Sequence, residues 1–309
     1  MRRTLSIFFN IDRTYLTGVS IVGSTLSLDY INSTIHKIDF ENTQSEETQN
    51  GMTELINIIS EMDFKPDEIS VTLPSESVLV SKFPGNINMN EKSLKALVAL
   101  ELRQTYPQFN FEDFSIQLVP MTSQKSKKQM MLAVIITKED LKVIQDLLEP
   151  LGKKISKFDI SQMNAHSAFI YNYPEFRAGN IMILGLQGQF MDISVVMDGL
   201  PAYYNLIRFD GLDSLQEKIE NEYNQIVPNV CDNLDAMLYF GSGMTKTVAS
   251  ELIKISAQLD IADTKRLNGF RLMKSSLDER EREYCSRTLQ IYPACIGGCL
   301  PTKHTIMTL

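Results

Sequence analysis

One order of elements occurs twice along this chain, and that duplication constrains the fold more than any single motif. In the first occurrence Leu5, Ile7 and Phe9 alternate with Ser6 and Asn10, as the two faces of a strand do. Tyr15–Val22 and Thr25–Ile31 predict two further strands, joined by the two-residue turn Gly23-Ser24. The stretch Glu41–Asn50 is polar and has no period, which predicts a loop. Leu55, Ile58, Ile59 and Met62 then recur at helical spacing, and Ile69–Leu73 predicts a strand stopped by Pro74. The second occurrence opens with strands at Asn180–Leu186, Met191–Met197 and Ala202–Arg208, with Asp198-Gly199 as a strong hairpin turn. A helix follows Gly211, then a strand at Ala236–Phe240 that runs into Gly241-Ser242-Gly243, then a helix over Thr245–Leu259. The repeat is one of pattern and not of residues. It predicts an α/β protein of two related lobes.

Between the two units lies a block of different character, from 74 to about 153. Val78, Val80 and Phe83 alternate as a strand ending at Pro84-Gly85. Leu94, Leu97, Val98 and Leu102 mark a helix that stops before Pro107. Phe114–Val119 and Met130–Thr137 predict strands flanking a polar hairpin tip, Thr122–Gln129. Thr137 and Asp140 are spaced like a capping box for a helix carrying Leu141, Ile144, Leu147 and Leu148. This is a small α+β module. A strand at Lys154–Phe158 and a helix over Ser161–Tyr171 follow it. The last segment is helical, with Asp278/Arg282 and Glu283/Arg287 one turn apart, and closes on the small residues of Ala294–Leu300.

Composition narrows the function classes. Thirty basic against 38 acidic residues in 309 give a formal charge of -8, which argues against a nucleic-acid footprint. Four cysteines in so long a chain predict a reducing compartment. No apolar run approaches the ~18 residues that span a bilayer. Met1-Arg2-Arg3 followed by Leu5–Phe9 imitates a signal peptide, but Asn10, Asp12 and Arg13 interrupt its apolar stretch. The expectation is a cytoplasmic protein that meets the membrane only through a partner.

Two duplicated halves with an inserted module resemble the actin-like ATPase superfamily, whose lobes are ribonuclease H-like. The insertion sits where its FtsA and PilM branches carry an extra subdomain. Val71-Thr72-Leu73-Pro74 with Lys82-Phe83-Pro84 resembles the PilM family's entry into that subdomain, and Glu101 lies in a helix like the one that follows it there. Asp198-Gly199-Leu200-Pro201 with Gly211 resembles its second sheet, Gly241-Ser242-Gly243 its adenosine-side turn, and Tyr292-Pro293-Ala294-Cys295-Ile296-Gly297 its closing helix. The resemblance implies a first lobe made of 1–73, 154–178 and 284–309, an inserted subdomain of 74–153 and a second lobe of 179–283.

It also implies a nucleotide site, from which this sequence departs. The superfamily's first phosphate hairpin opens Asp-x-Gly, with a Lys a few residues on in PilM-like members. Here Asn10-Ile11-Asp12 occupies the opening and Thr17 stands near the Lys position. A glycine lets backbone approach a phosphate, whereas Asp12 adds a side chain and a negative charge. The second hairpin has Gly185-Leu186-Gln187 before Gly188, so the Asp that would organise Mg²⁺ is missing. Hydrolysis is therefore not expected. Gly241, Ser242 and Gly243 leave two readings open: a residual ATP or ADP contact, or a plain strand-to-helix turn.

Other candidates have bland explanations beside the chemical ones. Cys295 and Cys299 with His304 suggest a metal, but the spacing suits small residues packing a helix better. His36 and His166 have no nucleophile at motif spacing. Glu46/Glu47 and Glu112/Asp113 read as solvated loop charge. Lys125, Lys127 and Lys128 would suit an anionic surface or a solvated hairpin tip. The resemblance implies a non-catalytic scaffold of a type IV pilus or related secretion machine. In the PilM family a groove between first lobe and insertion takes an N-terminal peptide of the inner-membrane partner PilN. Two rival classes remain: a nucleotide-dependent switch or ATPase of the same fold, and an FtsA-like polymer at the membrane. Homo-oligomers fit any of the three.

Overall fold

The computed structural model describes residues 1–23, 25–126, 128–301 and 307–309. Ser24 of the first expected turn, Lys127 of the basic tip and His304 lie outside them. The first lobe opens with β1 (Arg2–Phe9), β2 (Thr14–Val22), β3 (Thr25–Ser33), α1 (Glu46–Glu61) and β4 (Glu68–Leu73). The insertion contributes β5 (Leu79–Pro84), α2 (Glu91–Thr105), β6 (Phe114–Met121), β7 (Met130–Thr137) and α3 (Lys138–Leu148). The chain returns through β8 (Ile155–Ile160) and α4 (Ser161–Asn172). The second lobe holds β9 (Asn180–Gln187), β10 (Phe190–Met197), β11 (Leu200–Arg208), α5 (Leu215–Asn229), β12 (Ala236–Phe240), α6 (Lys246–Gln258) and β13 (Asp263–Arg266). Then come β14 (Lys274–Ser275), α7 (Glu279–Thr288), α8 (Pro293–Cys299) and β15 (Met307–Thr308).

The two large sheets share a five-strand topology, to which the first adds β14. The first runs β14-β3-β2-β1-β4-β8 and the second β11-β10-β9-β12-β13. In each, an antiparallel meander is extended by parallel strands, β1 to β4 to β8 and β9 to β12 to β13. The Asp198-Gly199 turn takes φ of 50° and 75°, the left-handed geometry that a tight hairpin between twisted strands requires. The central strand β1 is buried on both faces. Leu5, Ile7 and Phe9 pack with Leu55 of α1, whereas Phe8 faces the opposite layer.

That opposite layer is shared by both lobes. Every α4 residue except Tyr171 is buried, and all of α8 is. Ala165, Ala168 and Phe169 of α4 and Cys295 and Ile296 of α8 join Phe8 and Val19 to Ile183 and Phe240 of the second sheet. The polar residues of α4 find partners inside. Asn164 Nδ2 donates to Thr72 Oγ1 (2.8 Å), Gln162 Nε2 to the Ile183 carbonyl (2.9 Å) and Asn172 Nδ2 to the Gly269 carbonyl (2.8 Å).

The insertion's sheet runs β15-β6-β7-β5. Its α2 face forms a separate core of Phe83, Leu94, Val98 and Leu102 with Ile116 and Leu118. Its other face, Leu132 and Val134, meets Ile160, Met163 and Tyr204. Ile144 and Leu148 of α3 pack into the first-lobe core. The insertion is thus wedged against both lobes.

Three details differ from the sequence reading. Helix α1 begins inside the expected loop 41–50: Ser45 caps it by accepting from the Thr48 amide (3.2 Å), and Glu46 and Glu47 sit in its first turn. Those carboxylates complement the helix dipole, and an apolar period cannot register a turn built from capping residues. Glu112 and Asp113 belong to a short 3₁₀ turn, Phe111–Asp113, capped by Asn110. Two short strands cross the expected lobe boundaries, β14 pairing with β3 and β15 with β6.

Candidate functional site

Three turns meet where the two sheets face each other. The first is the β1–β2 turn, 10–13. Asn10 Nδ2 donates to Asp12 Oδ1 (2.8 Å) and across the lobes to Ser242 Oγ (3.1 Å). The other Asp12 oxygen accepts from the Tyr15 hydroxyl (2.6 Å) and lies 3.6 Å from Arg13 Nε. Burial and the charge of Asp12 hold the Tyr15 hydroxyl far above its ordinary range, so Tyr15 stays a donor. Thr17 is buried, with its hydroxyl on Cys295 Sγ (3.3 Å).

The second turn follows β9. Gly188 has φ of 78°, and a Cβ there would stand 1.9 Å from Ile11 Cδ1. Ile11 therefore fills the space that faces the second hairpin. The third turn is Gly241-Ser242-Gly243, between β12 and α6. Its amides are committed within the chain: Gly241 to the Gln290 carbonyl (2.7 Å), Gly243 to the Leu186 carbonyl (3.0 Å), and Ser242 to Gln187 Oε1 at a long 3.4 Å. Asp12 and Gln187 thus act here as acceptors for neighbouring side chains and backbone. Phosphate approach to these turns requires breaking these bonds and moving Ile11.

A cleft of about 350 Å³ opens beside this junction, between first lobe and insertion. Its apolar walls are Phe9, Ile38, Phe40 and Leu73 of the first lobe and Ile144 of α3. Phe9 and Phe40 meet edge to face, with ring centroids 5.0 Å apart. Asn10 and Ile11 line it too, as does Phe190 of the second lobe. Glu76 lies in the turn after Pro74 and lines the cleft; burial and the charge of Asp192 push its carboxyl up to about 7. Asp192 is buried on β10, accepts from the Tyr204 hydroxyl (2.8 Å) and is pushed up to about 7 by burial. Neither carboxylate was singled out by the sequence reading. Each becomes notable only through burial, and no spacing rule encodes burial across 74 and 192.

The remaining sequence candidates resolve into structural roles. His166 is buried, its Nε2 2.6 Å from Ser194 Oγ, which also accepts from Gln162 Nε2 (2.6 Å). His36 Nδ1 lies 2.7 Å from Glu54 Oε1, and Glu54 also accepts from the Ile35 and His36 amides, clipping the loop after β3 to α1. Cys295 and Cys299 are buried against β1 and β2, and burial pushes the Cys295 thiol up to about 12. Among the described residues no group of three or more His, Cys, Asp or Glu side chains could hold a metal ion. The basic tip is not free at Lys125, which pairs with Asp232 of the second lobe, while the Gln124 amide donates to the Val230 carbonyl (3.0 Å). No helix among the described residues is long and apolar enough to cross a membrane.

No family model matches the chain, and no curated protein matches it. Solved structures do. A chain of a PilM–PilN type IV pilus biogenesis complex superposes with a TM-score of 0.75 over 96% of this chain and 99% of its own length, at 12% identity. A protein of unknown function with an actin-like ATPase fold from Bacteroides thetaiotaomicron superposes with a TM-score of 0.53, covering 92% of this chain and 96% of that one at 13% identity. The fold is the α/β actin-like ATPase fold expected from the duplicated pattern.

Proposed function

We propose that this protein is a non-catalytic scaffold of a type IV pilus or related secretion machine. It works in the cytoplasm against the inner membrane and captures a short peptide of a membrane-embedded partner, in the manner of PilM with PilN. The observation that carries this reading is the cleft that first lobe and insertion build together, with aromatic and aliphatic walls and polar residues, Asn10 and Glu76 among them, in its lining. Such a cleft fits an extended segment whose apolar side chains enter pockets. The likeness in fold to a chain of the PilM–PilN complex, over nearly the whole length of both, supports the same assignment. The three interlocked turns support a scaffold over an ATPase, because the groups that would meet phosphate are bonded to one another. Partner binding would supply the membrane address.

The test is a photo-crosslinking amino acid placed at Phe40, activated in cells that hold the native partners. The expected adduct joins position 40 to the cytoplasmic N-terminal segment of a single-span inner-membrane protein. Adducts confined to soluble proteins, or ATP turnover by the purified chain, would overturn the reading.

A further inference from the structure

Resting on that reading of the cleft, we infer that its occupant carries a cationic group, a lysine or arginine side chain or a free N-terminal amine, seated against Glu76 beside its apolar residues. Two independent observations lead there. The first is charge. Asp39, Glu41, Glu76 and Asp140 line the cleft, and the one cation among the described lining residues, Lys37, already lies 3.8 Å from Asp39. Asp140 is tied to the Thr137 hydroxyl. Glu76 is half-buried and has no cation beside it among the described residues, and Asp192 stands behind it as a second carboxylate. A carboxylate withdrawn from water without a counter-charge is costly, and an incoming cation removes that cost.

The second observation is an unpaired acceptor. Asn10 lines the same cleft and is only 2% exposed. Its Nδ2 serves Asp12 and Ser242, but its Oδ1 has no hydrogen-bond partner among the described residues. A buried, unpartnered carbonyl oxygen on a residue that lines a cleft asks for a donor. An ammonium, a guanidinium or a peptide N–H supplies one, and a carboxylate does not. The aliphatic stem of a lysine or arginine suits apolar lining such as Leu73 and Ile144, while its head suits the carboxylates of the same cleft.

The experiment uses the full chain and fluorescein-labelled hexapeptides of Leu and Ile, with one position swept through Lys, Arg, Gln and Glu. Each is made with a free or an acetylated N-terminus, and binding is followed by fluorescence anisotropy. The expected result is about tenfold tighter binding of the Lys and Arg peptides than of their Gln counterparts, and weakest binding for Glu. If the free amine is the cation, the acetylated series alone loses affinity. The preference should disappear in Glu76→Gln, shrink in the more exposed Glu41→Gln, and weaken with salt. Equal binding of Lys and Gln peptides by the folded wild type, with no loss on acetylation of the N-terminus, overturns the cation inference and leaves the peptide cleft standing. No binding by any peptide overturns both.

Discussion

The β1–β2 turn borders two regions that treat their polar groups in opposite ways. On the interlobe side Asn10, Asp12, Gln187 and Ser242 satisfy one another, and Ile11 fills the remaining space against Gly188. On the cleft side, among the described residues, Asn10 Oδ1 is unpaired and Glu76 has no counter-charge. A surface whose hydrogen bonds are complete gains little from a ligand, because the ligand must first break them. One with orphan groups gains what the free protein lacks. The difference makes the cleft, rather than the interlobe junction, the place where a ligand would gain most.

The largest effect should come from breaking the junction at its backbone. Gly241 has φ of 114°, and a Cβ there would lie 2.2 Å from the Leu186 carbonyl oxygen. Neither the strain nor the clash has a flexible side chain to absorb it. Gly241→Ala should cost about 4 kcal/mol in urea unfolding, at the high end for a single substitution. A loss under ~1 kcal/mol would mean that the junction is loose, and the contrast with the cleft would fail.

Behind the cleft, Asp192 offers a pH test. Its carboxyl is pushed up to about 7 by burial, above its unfolded value, so the folded state holds the proton more tightly. That stabilisation is fully present below the unfolded pKa, near 4, and is lost as pH rises through about 7. The wild type should therefore lose stability between about pH 4 and pH 7, and Asp192→Asn should flatten the profile and be the more stable of the two at pH 8 by about 3 kcal/mol. Parallel profiles for the two proteins would remove Asp192 as a buried, protonated group. Smaller still is the cleft wall. Phe40→Ala removes an edge-to-face contact with Phe9, worth about 1 kcal/mol of stability. It should abolish most peptide capture in the anisotropy assay. The reverse pattern, intact capture with a large stability loss, would make Phe40 a core residue.

The sequence carried the fold further than the site, for reasons that lie in the range of the interactions. Alternation in Leu5, Ile7 and Phe9 and the Asp198-Gly199 turn are local, and strands and hairpin stand where they predict. The duplication was legible because the same order recurs, although no residue repeats. The start of α1 was missed because Ser45 and two glutamates look like loop until the cap is formed. The odd residues Asp12 and Gln187 were visible as departures, but their partners were not: Asn10 reaches a serine 232 positions away. The cleft draws on segments around 40, 75 and 144, and its unpaired Asn10 Oδ1 exists only once burial has removed water. The docking of the hairpin tip was hidden for the same reason, since Lys125 and Asp232 are neighbours only in space.

The smallest effect is also the most specific. Asn10 Nδ2 bridges Asp12 and Ser242, so it couples the first lobe to the second, while its Oδ1 has no partner among the described residues and the residue lines the cleft. A double-mutant cycle of Asn10→Ala and Ser242→Ala should give a coupling of about 0.5–1 kcal/mol in unfolding, the range for a single neutral hydrogen bond. The same cycle read in peptide affinity should behave differently. Ser242→Ala alone leaves Oδ1 in place and should change binding less than threefold, whereas Asn10→Ala removes the acceptor and should weaken it by about tenfold. If both substitutions weaken the peptide equally, the two regions act as one site. Unequal effects would confirm that one side chain serves a closed junction with its nitrogen and an open cleft with its oxygen.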